Sequence, residues 1–470
     1  MRTSTLKRRN GGGVEESAIA AFRDGFAGQT IRPGDAAYDT ARRIWNASID
    51  RRPGLIARCT GTADVVRAVR FAREQNLLVA VRGGGHNVGG RAVCDDGIVI
   101  DLSGMKGVFV DPARRTVRVR AGALLGEVDR ETHLHGLAVP LGTVSRTGVA
   151  GLTLGGGVGW LVRKHGLACD NLLGCEVVTA TGEVLTADAE SHPNLFWGLR
   201  GGGGNFGIVT SFLFRAHPVS TVLGGLILYP RDQARALLPY YRDFMATAPD
   251  ELTAYCGLIA QPDGTPAALI GACYAGDPAE GERVLEPLRR FGRPFLDAIQ
   301  PMPFPIMQTL ADEAFPDGTY NYWKSAFVTA LGDVVVDVLV EHGNRAGSPL
   351  SGVMVELYGG AAGRIAPEAT AFAQRQAQFM IGISAQWTDP AESERHVGWA
   401  RDLADALQPH ASGGYLLNFL GEDPQAVRGA FGSNYARLAR LKARYDPTNL
   451  FSLNPNVAPA REAEPSPAFS

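Results

Sequence analysis

The pattern of hydrophobic positions divides the chain into a glycine-interrupted first part and a second part without glycine-rich segments. Residues 62–74 place valines and alanines on one helical face, which predicts a helix. Residues 108–110 and 116–120 alternate with period two on either side of a turn, which predicts an antiparallel pair of strands. Short apolar runs at 77–81 and 97–102 predict further strands. The first part is therefore expected to be of the mixed α+β class.

Three glycine-rich segments interrupt this first part, at residues 82–90, 142–160 and 201–207. Because glycine has no Cβ atom, a flat ligand can lie against the backbone of such a segment, and the backbone N–H groups can converge on anionic oxygens. Together the segments favour a large ligand that carries phosphate groups. Tight turns without a ligand are the alternative for any one segment alone.

The second part begins after residues 215–218, where the glycine-rich segments end. Its branched apolar run at 334–340 is interpreted as a strand, and residues 391–407 are interpreted as a helix. We expect a second lobe whose function differs from that of the first. Residues 1–20 and 459–470 are expected to be disordered, the latter because they are rich in Pro, Ala and charge.

Composition narrows the class of partner. The chain has 46 basic and 48 acidic residues and a formal net charge of -2, which argues against a nucleic-acid or anionic-membrane surface. No stretch approaches the roughly 18 apolar residues of a membrane span. The basic residues near the start lead into glycines rather than into an apolar signal region. We therefore expect a soluble, cytoplasmic protein that acts on a small molecule.

Cysteine and histidine spacing gives no sign of a metal site. The six cysteines are scattered without the spacing of a disulfide framework or a metal knuckle, so we interpret them as reduced thiols. His133 and His135 stand at the end of a predicted helix with no third ligand nearby in sequence. We expect no metal.

Five motifs follow one another along the chain at residues 82–86, 148–160, 166–171, 195–209 and 445–456. In this order they resemble the FAD-linked oxidases of the vanillyl-alcohol oxidase and para-cresol methylhydroxylase (PCMH) superfamily, within its berberine-bridge-enzyme-like branch. The resemblance spans nearly the whole chain. It implies a two-lobed fold: a PCMH-type FAD-binding domain at 29–217, a substrate domain at 218–425 built on an antiparallel sheet covered by helices, and a segment at 426–460 that returns to the FAD domain.

The resemblance also implies that FAD is bound covalently through a ring nitrogen of His86. Some family members add a cysteinyl bond, but Val144 stands at the corresponding place, so a single bond is expected. Cys169 is interpreted as a small buried residue rather than a second attachment point, and noncovalent FAD is the alternative to the histidyl bond. The other residues implied to bind the cofactor are Arg82, Gly83, Gly84, Gly85, Asn87, Gly142, Thr147, Gly148, Gly151, Leu152, Gly157, Gly207, Ile208, Val209 and Asn454.

Two residues of the substrate domain resemble a motif that directs a lysine and an aromatic side chain toward the flavin. They are Tyr322 and Lys324, and Lys324 would stabilise negative charge there. A strand lysine that reaches solvent is the equally weighted alternative.

Three further residues are candidate catalytic residues of the substrate domain. Glu356 and Gln386 lie on predicted strands of the substrate sheet; Gln386 stands where some relatives have a carboxylate, and it cannot ionise. The family's Tyr-x-Asn tyrosine is replaced by Leu416, with Tyr415 one residue earlier. Tyr415 is therefore a candidate base, although neighbouring residues of a strand point to opposite faces.

The resemblance implies an oxidase that takes a hydride from a C–H bond next to oxygen or nitrogen of a small alcohol, sugar or amine, including secondary metabolites, with dioxygen as acceptor. A flavin-retaining binding protein with a decayed catalytic face and a dehydrogenase with another acceptor are the alternatives. Residues 202–207 fit GxGxxG, but a strand follows them where a nicotinamide site needs a helix. We therefore do not expect the enzyme to use NAD(P)H.

Overall fold

The computed structural model describes residues 6–376, 379–421 and 424–461. The strands of the first lobe are β1 (Gln29–Ile31), β2 (Leu55–Arg58), β3 (Val79–Arg82), β4 (Ile98–Asp101), β5 (Val108–Asp111), β6 (Thr116–Arg120), β7 (Leu137–Ala138), β8 (Leu172–Val178), β9 (Val184–Asp188), β10 (Ile208–Arg215) and β11 (His217–Pro218). Those of the second lobe are β12 (Thr221–Pro230), β13 (Leu252–Ala260), β14 (Pro266–Tyr274), β15 (Leu296–Asp297), β16 (Gln300–Pro303), β17 (Tyr320–Val328), β18 (Gly352–Leu357) and β19 (Phe379–Trp387).

The helices lie on both lobes. They are α1 (Glu16–Asp24), α2 (Tyr38–Ala41), α3 (Thr62–Glu74), α4 (Leu125–His133), α5 (Val149–Leu154), α6 (Val162–His165), α7 (Pro193–Leu199), α8 (Ala234–Thr247), α9 (Pro278–Arg289), α10 (Phe304–Gln308), α11 (Asp333–Gly343), α12 (Gly360–Gly363), α13 (Ser393–Leu407), α14 (Pro424–Phe431) and α15 (Tyr435–Tyr445). Across the described part of the chain, no helix has the length and apolar character needed to cross a membrane.

The first lobe contains two sheets that share its main core. Its four-stranded sheet has the order β1-β2-β4-β3, and its five-stranded sheet has the order β5-β6-β10-β8-β9. Strands β2, β4 and β3 run parallel, whereas β5 and β6 form the predicted antiparallel pair. Helix α3 buries the apolar face predicted from its pattern, including Val65 and Val69, in the core that the two sheets share.

The second lobe is built on an eight-stranded sheet whose paired strands are antiparallel. Alternate residues of its strands enter a core with α8, α9, α11 and α13. Because neighbouring strand residues point to opposite faces, the other half of these residues faces the first lobe. The mixed α+β class and the helix-covered antiparallel sheet are confirmed.

The run 334–340, predicted as a strand, is instead part of helix α11. The helix buries Val335, Val336 and Leu339 in the second core, while Val334 is 60% exposed. Three buried positions at helical spacing outweigh the strand preference of branched side chains, because that preference reflects packing more than the backbone itself.

The N-terminal prediction of disorder is wrong for residues 6–20. Leu6 and Ile19 are buried in the first core, and Phe22 of α1 stacks on Phe71 of α3 with ring centroids 4.6 Å apart. Helix α1 is ordered because its apolar side chains complete the core beside α3. Residue 460 donates a backbone hydrogen bond to the Ala439 carbonyl. The remaining parts of the disorder predictions, 1–5 and 462–470, lie outside the described residues.

Helix α15 is anchored to the first lobe by a buried ion pair. Lys442 and Asp446 are both fully buried, and their side chains lie 2.6 Å apart. Lys442 Nζ also donates to the carbonyls of Asn205 and Phe451, at 2.8 and 2.9 Å. Asp446 accepts the backbone N–H groups of Leu450 and Phe451. The pair therefore connects the returning C-terminal segment to the third glycine-rich segment.

Replacing Lys442 by methionine is expected to lower the free energy of unfolding by about 3–5 kcal/mol, because Asp446 is left as a buried charge without its cation. Urea unfolding of the two proteins measures the difference. Arg440→Met, at an exposed position of the same helix, is the control and should change stability by less than about 0.5 kcal/mol. Equal losses in the two variants would contradict a role for the ion pair.

Candidate functional site

The three glycine-rich segments meet in the first lobe. A Cβ atom on Gly84 would lie 2.5 Å from the backbone nitrogen of Gly148, so these two backbones approach too closely for side chains. The N–H of Gly203 donates to the Leu154 carbonyl at 2.8 Å. Asn454 of the C-terminal segment donates to the Gly204 carbonyl at 3.1 Å. Segments distant in sequence therefore form one glycine-lined wall.

The second glycine-rich segment turns around Leu152. Cβ atoms on Gly142 and Gly157 would lie 2.9 and 3.2 Å from the Leu152 side chain, whereas a Cβ on Gly151 would meet no atom within 4 Å. The Thr147 carbonyl accepts the N–H of Leu125, which fixes the start of the segment beside α4. Gly151 thus presents exposed backbone with open space around it.

The other predicted cofactor residues occupy the edges of this wall. A Cβ on Gly83 would lie 3.3 Å from the Ala121 carbonyl, and Gly85 has a left-handed backbone with φ +69°. Gly207 packs against β8, where a Cβ would lie 2.7 Å from Val177. Ile208 and Val209 begin β10 directly after it.

The Arg82 side chain is directed into the first lobe. Its guanidinium donates to Asp101, through Nε at 3.2 Å and Nη2 at 2.5 Å, and to the carbonyls of Ala41 and Arg43. The predicted cofactor role of its side chain is therefore not supported by the geometry. Arg82 instead ties β3 to β4 and to the chain after α2, because the buried Asp101 needs a cationic partner.

His86 follows the left-handed Gly85 and is held in a neutral state. Its imidazole is stacked on the Trp45 indole, with ring centroids 4.3 Å apart and planes 14° apart. Burial lowers the pKa of His86 to about 4, against the opposing charge of Asp317. Its Nε2 atom is buried and has no hydrogen-bond partner among the described residues. A neutral imidazole with an unused nitrogen is a competent nucleophile.

Several buried polar atoms of both lobes share this lack of a partner. Within the described residues they include His86 Nε2, Asn87 Oδ1, Thr153 Oγ1, Trp160 Nε1, Tyr255 OH, Glu356 Oε1, Asn418 Oδ1 and Asn454 Oδ1. Buried polar atoms in folded proteins are nearly always paired. A ligand with both hydrogen-bonding groups and a flat ring fits this wall, and FAD has both.

The inner face of the second lobe is identified by its contact with Trp160, which ends the second glycine-rich segment. The Trp160 ring meets Tyr255 of β13 edge-on, with centroids 4.9 Å apart. Tyr255 is the register partner of Glu356 on β18, which in turn is the partner of Met380 on β19. These side chains therefore share the face that is turned toward the glycine-lined wall.

Among the predicted catalytic residues, Glu356 is the one on this face whose side chain can ionise. It is 1% exposed. Burial raises the pKa of Glu356 to about 8, against the opposing effects of the Tyr255 hydroxyl and the Arg163 guanidinium. A carboxyl group with this pKa changes its charge close to neutral pH, which suits a general base.

Tyr322 and Lys324 lie on the opposite, helix-covered face, contrary to the expectation that they point to the flavin. The Tyr322 hydroxyl accepts a hydrogen bond from Arg401 of α13, and Lys324 Nζ lies 5.8 Å from the centre of the Tyr322 ring. Lys324 pairs in register with Ile383, which belongs to the helix-covered core. Strand alternation instead turns Trp323 inward.

Gln386 and Tyr415 have different surroundings. Gln386 is fully buried on the inner face, and neither amide atom has a hydrogen-bond partner among the described residues. The Tyr415 hydroxyl accepts from Gln408 at an exposed place, so the structure does not bring it to Glu356. Asn418, three residues further along, donates to the Leu152 carbonyl of the second glycine-rich segment.

The six cysteines are all buried as free thiols. Burial raises the pKa of the Cys169 thiol, which lies 4.0 Å from the Arg375 guanidinium. Protonated, enclosed thiols are poor nucleophiles. Val144, which the sequence predicts at the place of a second attachment point, is buried.

Sequence reasoning missed Trp45, Tyr255 and Trp323. Trp45 lies in the loop between α2 and β2, outside the three glycine-rich segments, and no sequence signal connects it to His86. Tyr255 and Trp323 alternate with core residues along their strands, which predicts that they share a face but not which lobe that face meets.

The third glycine-rich segment lies between helix α7 and strand β10, so the helix comes first and the strand second. This confirms the order predicted from sequence. A nicotinamide fingerprint needs the reverse order, because its pyrophosphate rests on the N-terminus of the following helix.

Comparison with known proteins adds independent findings. An FAD binding domain family matches residues 53–188, and a berberine and berberine-like family matches residues 414–458. An FAD-linked oxidoreductase of Dictyostelium discoideum is 32% identical over 94% of this chain and 97% of its own length. (R)-6-hydroxynicotine oxidase of Paenarthrobacter nicotinovorans is 32% identical over 92% and 97%. The crystal structure of 6-hydroxy-D-nicotine oxidase from Arthrobacter nicotinovorans superimposes with a TM-score of 0.86, at 32% identity, over 93% of this chain and 99% of that one.

Proposed function

The chain belongs to the berberine-bridge-enzyme-like family of FAD-linked oxidoreductases, and we propose that it is an oxidase with FAD bonded to His86. In this proposal it removes a hydride from a C–H bond next to nitrogen or oxygen of a small organic substrate. Dioxygen then takes the electrons. The observation that supports a catalytic rather than a binding role is the buried Glu356, which lies on the inner face of the substrate sheet.

Glu356 acts as the base in this reaction. Loss of hydride from carbon becomes easier when the neighbouring N–H or O–H proton is removed, and a carboxylate of raised pKa is suited to accept that proton. Bound FAD supplies a two-electron acceptor for the hydride. The Tyr255 hydroxyl, which opposes the rise in the pKa of Glu356, lies beside this carboxyl group and is placed to orient the same substrate group.

The neighbouring side chains favour a substrate with an apolar or aromatic body. Trp323 meets Phe419 edge-on at 4.9 Å between centroids. A Cβ on Gly382 would lie 3.2 Å from the Phe419 ring, and Met354 lies over Gly257. This face resembles an amine or alcohol site more than a surface for hydroxyl-rich sugars, and the relative named as a hydroxynicotine oxidase supports the same choice.

Anaerobic mixing tests the proposal. A panel of cyclic amines, aromatic alcohols and oligosaccharides should contain an amine or alcohol that bleaches the flavin absorbance, and air should restore the absorbance with formation of hydrogen peroxide. NADH and NADPH should leave the spectrum unchanged, because the third glycine-rich segment precedes a strand. Rapid reduction by either nicotinamide would contradict the oxidase assignment, and bleaching that air does not reverse would favour another acceptor.

A further inference from the structure

Trp45 forms a parallel stack with the residue that we propose to hold the flavin. Its indole lies over the His86 imidazole with 4.3 Å between centroids and 14° between planes, and Trp45 is 4% exposed. It comes from the loop between α2 and β2, outside all three glycine-rich segments. The stack covers one face of the imidazole, and the buried Nε2 at its edge has no hydrogen-bond partner among the described residues.

The indole is held in place from both lobes. The Trp45 N–H donates to the carbonyl of Gly85, directly before His86, at 3.2 Å. Its Nε1 donates to the Phe315 carbonyl of the second lobe at 3.1 Å, and its own carbonyl accepts the Gly318 N–H at 3.2 Å. Trp323 closes the far side edge-on, with centroids 5.3 Å apart. The indole therefore cannot rotate without breaking contacts to both lobes.

This arrangement also determines the state of the imidazole. The charged groups that act on His86 are Asp317, Asp312 and Arg146, and burial outweighs all of them in lowering its pKa to about 4. Trp45 contributes to that burial by excluding water from one ring face. The imidazole is therefore neutral at neutral pH, and its tautomer with the hydrogen on Nδ1 has a lone pair on the unpartnered Nε2.

We propose that Trp45 is a positioning residue for flavin attachment: it fixes the plane of the His86 imidazole so that Nε2 faces the 8α-methyl carbon of FAD. The inference rests on the proposed histidyl bond. In the attachment, a bond forms between nitrogen and the methyl carbon, and one methyl hydrogen and the imidazole N–H hydrogen leave as protons. The electron pair stays on the isoalloxazine ring, from which dioxygen takes two electrons and two protons to give hydrogen peroxide.

The test measures attachment rather than turnover. Full-length apoprotein from riboflavin-limited cells is mixed with FAD, and the flavin that precipitates with the polypeptide in acid is followed over time. Trp45→Ala should attach flavin about a hundredfold more slowly than the wild type, because small misplacements of reacting groups have effects of this size. Trp45→Phe, which keeps a smaller ring in the stack, should fall between them.

Trp399→Phe is the matched control. Trp399 on α13 is similarly buried, at 7% exposure, and its Nε1 also donates to a backbone carbonyl, that of His342. It lies in the helix-covered core, so attachment should proceed at the wild-type rate. If general destabilisation were the cause, this variant would be slowed as much as Trp45→Phe, and the proposal would be overturned.

A pH profile separates positioning from loss of structure. Wild-type attachment should be constant between about pH 5 and 8, because the imidazole is neutral throughout. In Trp45→Ala, water reaches the ring and its pKa rises toward the ordinary value of 6.5, so the rate should fall on the acid side of that value. Wild-type rates in both Trp45 variants would overturn the role of Trp45, whereas absence of acid-stable flavin in the wild type would overturn the histidyl bond itself.

Discussion

Replacing His86 by alanine is expected to release all of the flavin from the acid-precipitated polypeptide, whereas the native protein keeps it. The imidazole lies within the first glycine-rich segment, it is neutral, and its Nε2 has no competing partner among the described residues. Alanine has no nucleophilic atom, so no bond can form. Fluorescence of the washed pellet and peptide mass analysis measure the outcome.

Peptide analysis also tests the number of bonds. Flavin should be found on the peptide that contains His86 and on no cysteine peptide, because all six thiols are buried. His135→Ala, at an exposed histidine, is the control and should retain the full amount of bound flavin. Native protein that loses its flavin to the supernatant would contradict the covalent assignment, and a thioether peptide would contradict the single bond.

Replacing Glu356 by glutamine is expected to slow reduction of the flavin by the best substrate by roughly a hundredfold to ten-thousandfold, the usual range for loss of a general base. Glutamine keeps the size of the side chain but cannot accept the substrate proton. Stopped-flow absorbance under anaerobic conditions measures the rate. Glu341→Gln, on the outer helix α11 where the side chain is 59% exposed, should leave the rate unchanged.

The role of Glu356 as a base also predicts how kcat/KM depends on pH. Because a base acts in its deprotonated form, kcat/KM of the native enzyme should rise with pH through about 8, the pKa to which burial raises Glu356. The E356Q variant should lose this rise. If kcat/KM of the variant still rose fully with pH, the ionising group would be one other than Glu356.

As pH rises, the contribution of Glu356 to the free energy of unfolding should fall, whereas activity should rise. The folded-state pKa of Glu356 lies above the ordinary value of 4.5, so between these two pH values the native state binds more protons than the unfolded state. Stability contributed by this group is therefore present below pH 4.5 and is lost as pH rises through about 8. E356Q has no proton to lose and should be at least as stable as the native protein at alkaline pH, which distinguishes lost catalysis from lost structure.

Part of the site follows from local sequence. Gly84 and Gly148 lack side chains because their backbones touch, and a clustering of such residues around His86 is visible without coordinates. The helix–glycine–strand order at residues 193–215 is also local, since each element has its own period. In contrast, the strand prediction for 334–340 failed. A run of branched apolar side chains fits the pattern of a buried strand as well as that of a buried helix, and the sequence does not show which surface the run packs against.

The sequence by itself determined where the backbone lacks side chains, which runs of the first lobe form strands, and that His86 stands in a flavin-type motif, because these properties depend on residues close to one another in the chain. Only the tertiary structure decided which side of each strand meets the cofactor lobe. That choice turned Trp323 inward and Lys324 outward, left the Arg82 guanidinium on Asp101, and placed Trp45 on His86. Such contacts join residues far apart in sequence, and register shifted by one residue would reverse every one of the strand assignments.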